Sequence, residues 1–229
     1  MTPGRPGPVR AWWDQWAMPR LVDVVLSDAT VGVWRQRLCA DVAGDVLEVG
    51  FGSGRNLPFY GPDVSGVLAV EPSGPAWVRA RQRVTTFARP VERIGLDGAR
   101  IPLPDASVDA VVSTWTMCSI ADLTSALSEM RRVLRPGGVI HFVEHSLAPD
   151  PGVARVQRAL QPAWGQVSGG CHLDRDIPAE LAAAGLTTAA VQTGYVTWLA
   201  LAKPFGWFCL GRATAGPDHP SAAGAVEAT

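Results

Sequence analysis

The sequence predicts an α/β fold built on a doubly wound, mostly parallel sheet, and three observations carry that expectation. An apolar run from Val46 to Val49 breaks into Gly50-Phe51-Gly52-Ser53-Gly54, the pattern of a strand feeding a glycine-rich loop. A second apolar run, Val67 to Val70, ends at Glu71, about twenty residues past the loop, where an acidic side chain can hold a ribose diol. Beyond it, short apolar runs alternate with helix-patterned stretches, which implies right-handed crossovers between parallel strands.

Taken in order, residues 1–9 read as a flexible lead-in. Residues 10–40 carry helical patterns interrupted at Pro19, with Trp12, Trp13, Trp16 and Trp34 spaced to share faces. Strands are expected near 46–50, 66–70, 91–95, 108–113 and 138–144, with helices near 54–60, 74–84 and 122–134 between them. Two more helices are expected near 153–163 and 176–184. Final strands near 187–193 and 207–212 complete a seven-stranded sheet within one domain, residues 41–215. The tail from Gly216, rich in Ala, Gly and Pro, is expected to be disordered.

Composition excludes more than it identifies. A chain of 229 residues with 47% hydrophobic content can bury roughly 70–75% of its unfolded surface as one unit. Twenty basic residues against twenty-one acidic ones leave a formal charge of −1, so no electrostatic footprint for nucleic acid is present. No apolar run reaches the ~18–20 residues of a membrane span, and the N-terminus lacks the apolar core of a signal peptide. A cytoplasmic location is expected. Cys39, Cys118, Cys171 and Cys209 are scattered without metal-ligand pairs, so neither zinc nor a disulfide framework is indicated.

The glycine loop narrows the ligand. Its spacing is G-x-G-x-G with Arg55 where a dinucleotide fingerprint places a third glycine, which disfavours a nicotinamide or flavin. Glu48, inside the strand end, would repel a pyrophosphate but suits a cationic ligand or a ribose hydroxyl. Glu71 taken alone reads as a solvated strand-end carboxylate; coupled to the loop, it reads as a ribose ligand.

Three further blocks carry a resemblance. Asp97-Gly98-Ala99-Arg100-Ile101-Pro102-Leu103, Asp105-Ala106-Ser107-Val108-Asp109 and Arg132-Val133-Leu134-Arg135-Pro136-Gly137-Gly138 are similar to ordered motifs of class I S-adenosylmethionine (AdoMet) methyltransferases. A narrower likeness, to bacterial relatives of the methyltransferase-like 7 thiol methyltransferases, rests on Asn56-Leu57-Pro58-Phe59-Tyr60, Met117-Cys118-Ser119, Glu144-His145, Trp164, and Gly169-Gly170-Cys171-His172-Leu173-Asp174-Arg175-Asp176. The resemblance implies a Rossmann-like seven-stranded sheet with its last strand antiparallel and N-terminal helices acting as a lid. It also implies AdoMet as the cofactor and a small-molecule acceptor.

The same resemblance implies the site. The backbone of Gly50, Phe51, Gly52 and Gly54 would meet the methionine moiety, with Glu48 and Asn56 beside it. Glu71 and Pro72 would take the ribose, Asp97 and Gly98 the adenine, and Ser113 and Thr114 the donor's other side. His145 is either the base or a histidine bonded to a neighbouring loop. Trp13, Trp16, Tyr60, Cys118, Cys171, His172 and Asp174 are candidates for the acceptor pocket, with a structural loop as the alternative for the last two and small apolar fillers without a nucleophile role as the default for the two cysteines. His141 reads as a core histidine. The fourth strand ends Ser113-Thr114-Trp115-Thr116, which is neither the Asp/Asn-Pro-Pro-aromatic element of nucleobase N-methylation nor the acidic end of a magnesium-dependent enzyme. Metal-independent methylation of a small apolar thiol is the expectation, against O- or N-methylation of a small molecule or lipid headgroup, or AdoMet binding without turnover.

Overall fold

The computed structural model describes residues 17–196 and 200–215. Trp13, Trp16, Trp198 and the tail from Gly216 lie outside the described residues. Two helices, α1 (Met18–Val25) and α2 (Asp28–Cys39), precede the sheet. Its strands are β1 (Gly44–Val49), β2 (Val64–Val70), β3 (Val91–Gly95), β4 (Val108–Thr114), β5 (Leu134–His145), β6 (Leu186–Tyr195) and β7 (Trp207–Ala215). Helices α3 (Gly74–Thr86), α4 (Leu123–Val133), α5 (Pro151–Val167) and α6 (Ile177–Ala183) connect them, with 3₁₀ turns at Leu57–Phe59 and Ala200–Phe205.

The strand order is β3-β2-β1-β4-β5-β7-β6, parallel except for β7, which runs antiparallel to both neighbours. The chain winds outward from β1 in one direction and from β4 in the other. The carboxyl ends of β1 and β4 therefore lie side by side with no crossover above them, which is where an open α/β sheet binds its ligand. Local chemistry starts the helices: Ser73, Asp122, Asp150 and Asp176 each accept a backbone N–H of the first turn, and α3, α5 and α6 each carry proline there.

Strand residues alternate between two cores. Leu47, Val49, Val111, Ile140 and Phe142 pack with Leu127, Met130 and Leu181 on one face; Val46, Ala110, Val112 and Val143 pack with Leu38 and Cys39 of α2 on the other. The seven strands fall where the sequence placed them, with extended ends. β5 begins four residues earlier than expected, because Gly137, at φ 81°, absorbs a register shift between Val108 and Ala110 of its partner.

One element differs. The helix expected near 54–60 is a single 3₁₀ turn. Asn56 points its side chain inward, Tyr60 is extended, and Gly61 precedes Pro62, whose ring disfavours the helical region for the residue before it. The glycine loop thus leads into a tight turn that packs on the sheet instead of into a helix N-terminus.

Leu127 is 1% exposed in the α4 core. Leu127→Ala should lower unfolding free energy by about 2–4 kcal/mol, read as a lower urea midpoint at unchanged slope.

Candidate cofactor and acceptor site

The loop after β1 closes against the ends of β2 and β4. Gly50 sits at φ 79° and donates to Val70 O at 2.9 Å; a Cβ there would run into the Thr116 side chain. Gly52, at φ 59°, has nothing nearer than 4.0 Å in its Cβ direction, so the loop leaves a vacant cradle above it. Glu71, 5% exposed, accepts from Gly52 N at 2.5 Å and Ser73 N at 2.6 Å. Burial raises its pKa, and those two N–H groups with the nearby Arg93 charge oppose the rise. Gly50, Gly52, Glu71, Pro72 and Thr114 line a cavity of about 250 Å³.

Two N-terminal residues complete that cavity. Asp23 of α1 accepts from Ser53 Oγ at 2.6 Å, from Arg55 Nε at 3.1 Å and from Arg79 Nε at 2.9 Å, pinning α1 across the glycine loop. Burial would raise its pKa, but the Ser53 and Arg55 bonds outweigh it and hold the carboxyl below its ordinary value. Arg35 of α2 lies 4.7 Å over the Trp115 ring and donates to Asn56 Oδ1 and Leu26 O. Its Nε is buried with no hydrogen-bond partner, 3.8 Å from the carboxylate of Asp28.

Under the loop lies a closed polar network. The 1%-exposed Glu48 accepts from Asn56 Nδ2 at 2.8 Å and Tyr60 OH at 2.6 Å. Asn56 Nδ2 also reaches Thr114 Oγ1 at 3.2 Å. The amide of Asn56 is therefore fully committed: two N–H donors to Glu48 and Thr114, one oxygen to Arg35. Glu48, Asn56 and Tyr60, expected to touch cofactor or acceptor, are turned away from the cavity because a buried carboxylate at the end of β1 needs these donors.

The ends of β4 and β5 behave alike. Glu144, fully buried, accepts from Ser113 Oγ at 2.8 Å, Thr116 N at 3.1 Å and Cys118 N at 3.3 Å. Ser113, expected beside the donor, is thus buried beneath the loop, while Thr114, Trp115, Thr116 and Ser119 line the cavity. Trp115 adopts φ 49°, an uncommon conformation for a bulky residue, held by its N–H bond to Val143 O and by Phe208 at 5.5 Å.

Asp97 and Gly98 stand beyond the lining of this cavity. Asp97 is exposed and accepts from Ala99 N at 2.9 Å, and Gly98 packs under Val49. His172 and Asp174 pair across 3.6 Å at the surface, away from the cavity.

From Ser119, polar atoms lead inward to His145. Ser119 Oγ lies 3.6 Å from Cys118 Sγ, which lies 3.7 Å from Cys171 Sγ, which lies 3.9 Å from His145 Nδ1. His145 is 4% exposed, its edge against Phe208 at 6.0 Å and its Nε2 without a partner. His172 N donates to Cys118 O at 2.8 Å, joining the two cysteine-bearing segments. Among the described residues no group of three His, Cys, Asp or Glu side chains has the geometry to hold a metal ion, and no helix is long and apolar enough to cross a membrane.

Sequence reasoning missed Asp23, Arg35 and Glu144 as organisers. Asp23 stands alone among Leu21, Val22, Val24 and Val25, an isolated charge in apolar surroundings that was the available signal, whereas Arg35, followed by Gln36 and Arg37, offered none. Glu144, read only as part of a motif, is an acidic residue closing an apolar strand, as Glu48 and Glu71 are.

Comparison with known proteins matches residues 47–142 to a methyltransferase domain family. Thiol S-methyltransferase TMT1B of Rattus norvegicus is 36% identical over 138 residues, covering 57% of this chain and 55% of that protein. The chain thus spans about half the length of the curated relatives it matches. Phosphatidylethanolamine N-methyltransferase of Cereibacter sphaeroides is 34% identical over 131 residues, 55% of this chain and 64% of that one. A methyltransferase solved in complex with the Haloferax volcanii activator Trm112 shares the fold at a TM-score of 0.68 and 17% identity, over 93% of this chain and 99% of that one.

Burial pushes the Glu48 pKa up to about 7 from 4.5, against the bonds from Tyr60 and Asn56. The folded state then binds the proton more tightly than the unfolded chain, so this group's contribution to stability falls as pH rises from about 4.5 through about 7. His141, lowered to about 4 from 6.5 by burial and then Arg212, acts in the opposite direction. Comparing wild type with Glu48→Gln isolates the carboxylate. The wild type should lose up to about 3 kcal/mol relative to the variant across that interval, measured by urea unfolding at stepped pH.

Proposed function

We propose that this chain, which carries a class I AdoMet-dependent methyltransferase domain, transfers a methyl group to a small apolar thiol or dithiol. The cofactor's sulfonium supplies an electrophilic methyl whose transfer leaves a neutral thioether. The chain's own task is to orient, desolvate and manage one proton, and well-held geometry alone can supply roughly 7–11 kcal/mol.

The described residues fit the cofactor. The open cradle above Gly52 admits a ligand against the backbone, and Glu71 keeps acceptor capacity beyond its two N–H donors, enough for a ribose hydroxyl. The Nε of Arg35, beside the cavity and without a hydrogen-bond partner, suits the cofactor's carboxylate. Gly50, Phe51 and Gly54 shape the loop, Pro72 flanks the ribose position, and Asp97 with Gly98 would take the adenine. Glu48, Asn56 and Ser113 act through the segments they hold. They are positioning residues in this reading.

The observation that carries the sulfur assignment is the path from the cavity at Ser119 through Cys118 and Cys171 to Nδ1 of the buried His145 imidazole, whose Nε2 has no hydrogen-bond partner. An imidazole is a base of adequate strength for a thiol of pKa ~8.5, whereas a phenol of ~10 asks more of it. Likeness to thiol S-methyltransferases points the same way. Likeness to a phosphatidylethanolamine N-methyltransferase favours a second reading, methylation of an amine headgroup.

A side-by-side mass assay with aryl and alkyl thiols, matched phenols, amines and phosphatidylethanolamine separates these readings. Higher kcat/KM for every thiol class than for the rest is expected; a phenol or amine that outperforms all thiols would replace the sulfur assignment. Product with none of them would leave a binding protein.

Glu71→Ala should weaken AdoMet binding by about 1.5–3 kcal/mol in calorimetry, since it removes both a ribose acceptor and the anchor of Gly52. His145→Ala should lower kcat with little change in AdoMet affinity, and the loss should shrink as rising pH supplies free thiolate. An equal loss at every pH would assign His145 a packing role.

A further inference from the structure

Cys171 and Cys118 are 53 residues apart in sequence, yet their sulfurs lie 3.7 Å apart on two segments stitched by the bond from His172 N to Cys118 O. Their exposures differ in a useful way: Cys171 is partly exposed, whereas Cys118 is 2% exposed. Of the two residues, Cys171 is the one an incoming molecule meets first. His145 Nδ1 stands 3.9 Å from Cys171 Sγ, so a proton acceptor is within the cluster. The pair lies behind Ser119, which borders the cavity. Direct methyl transfer needs no protein nucleophile, so it leaves the nucleophilic capacity of the two thiols unused.

We infer that Cys171 and Cys118 form a thiol–disulfide exchange site that opens small apolar disulfides beside the methyl-transfer cavity. The inference deepens the proposed function, on which it rests for substrate class, by naming the oxidised form of the same acceptor. In the first step the Cys171 thiolate attacks one sulfur of R–S–S–R′, forming a Cys171–S–R mixed disulfide and breaking the S–S bond; the leaving R′S⁻ takes the proton held by His145. Cys118 then gives its proton to the imidazole and attacks Cys171 Sγ, forming the Cys118–Cys171 disulfide and releasing RS⁻, which takes that proton. The protein dithiol is oxidised by two electrons and the substrate disulfide is reduced by two. A small-molecule thiol returns the pair to its reduced form.

The chemistry of the four cysteines supports this division. The contact with Cys118, opposed by burial and aided by His145, lowers the Cys171 pKa, while the same contact and burial raise that of Cys118. Burial raises Cys39 as well and pushes Cys209 up to about 12, so those two thiols react slowly. Forming the disulfide asks the sulfurs to close from 3.7 Å to about 2.05 Å, within reach of side-chain rotation because the backbones are already joined.

The test uses the full chain, reduced and freed of reductant, mixed with a dipyridyl disulfide in the absence of any methyl donor. Wild type should release two equivalents of thiopyridone rapidly at mildly acidic pH and end without an adduct, lighter by two hydrogens in intact mass. Cys118→Ala should stop at one equivalent with the pyridyl adduct kept on Cys171. Cys171→Ser should slow the release by about tenfold or more, to the rate of the buried thiols. A wild-type protein that retains the adduct, or a Cys171→Ser variant that reacts as fast, overturns the exchange site. Because no methyl donor is present, that failure leaves the methyltransferase reading intact, and failure of the thiol panel leaves this result intact.

Discussion

The hydrogen bonds that Asn56 and Tyr60 give to the buried carboxylate of Glu48 hold the segment after the glycine loop against the sheet. A fully buried carboxylate without donors would be strongly unfavourable, so the chain after Gly54 is obliged to bring an amide and a phenol back to β1. That return turns Asn56 inward, and Asn56 in turn fixes Thr114 at the end of β4 and Arg35 on α2. The cavity wall is shaped by this one requirement. Glu71 and Glu144 repeat it at the ends of β2 and β5, each drawing loop N–H groups onto itself.

The three carboxylates give the site an architecture in which most acidic groups position backbone and few face the cavity. Glu71 is the member that does both, since it lines the cavity and anchors Gly52. The N-terminal helices are joined to this frame by charge: Asp23 gathers Ser53, Arg55 and Arg79, and Arg35 covers Trp115. These ion pairs are half-buried and involve the loop itself, so they tie the helices to the ligand-binding segment more than they stabilise the domain.

Behind Ser119, sulfur and imidazole replace the carboxylates. Trp115, His145 and Trp34 all meet Phe208 edge-on, forming an aromatic wall, and His145 Nε2 has no hydrogen-bond partner. An unpaired buried nitrogen costs on the order of 1–3 kcal/mol.

The sequence by itself determined the fold class, the seven strands, the glycine loop and the Glu71 position, because each follows from local periodicity or from glycine at a position that requires positive φ. It also marked His145, Cys118 and Cys171 as candidates, yet could not place them together. Their contact depends on loops 53 residues apart meeting at the carboxyl edge of the sheet, and such pairing leaves no local pattern. The same reason governs the residues that turned out to face inward. Whether Glu48, Asn56, Tyr60 and Ser113 meet a ligand or hold the loop beneath it was decided only by tertiary structure, because a polar side chain at a strand end has the same local sequence in either role and only its neighbours in space supply its donors.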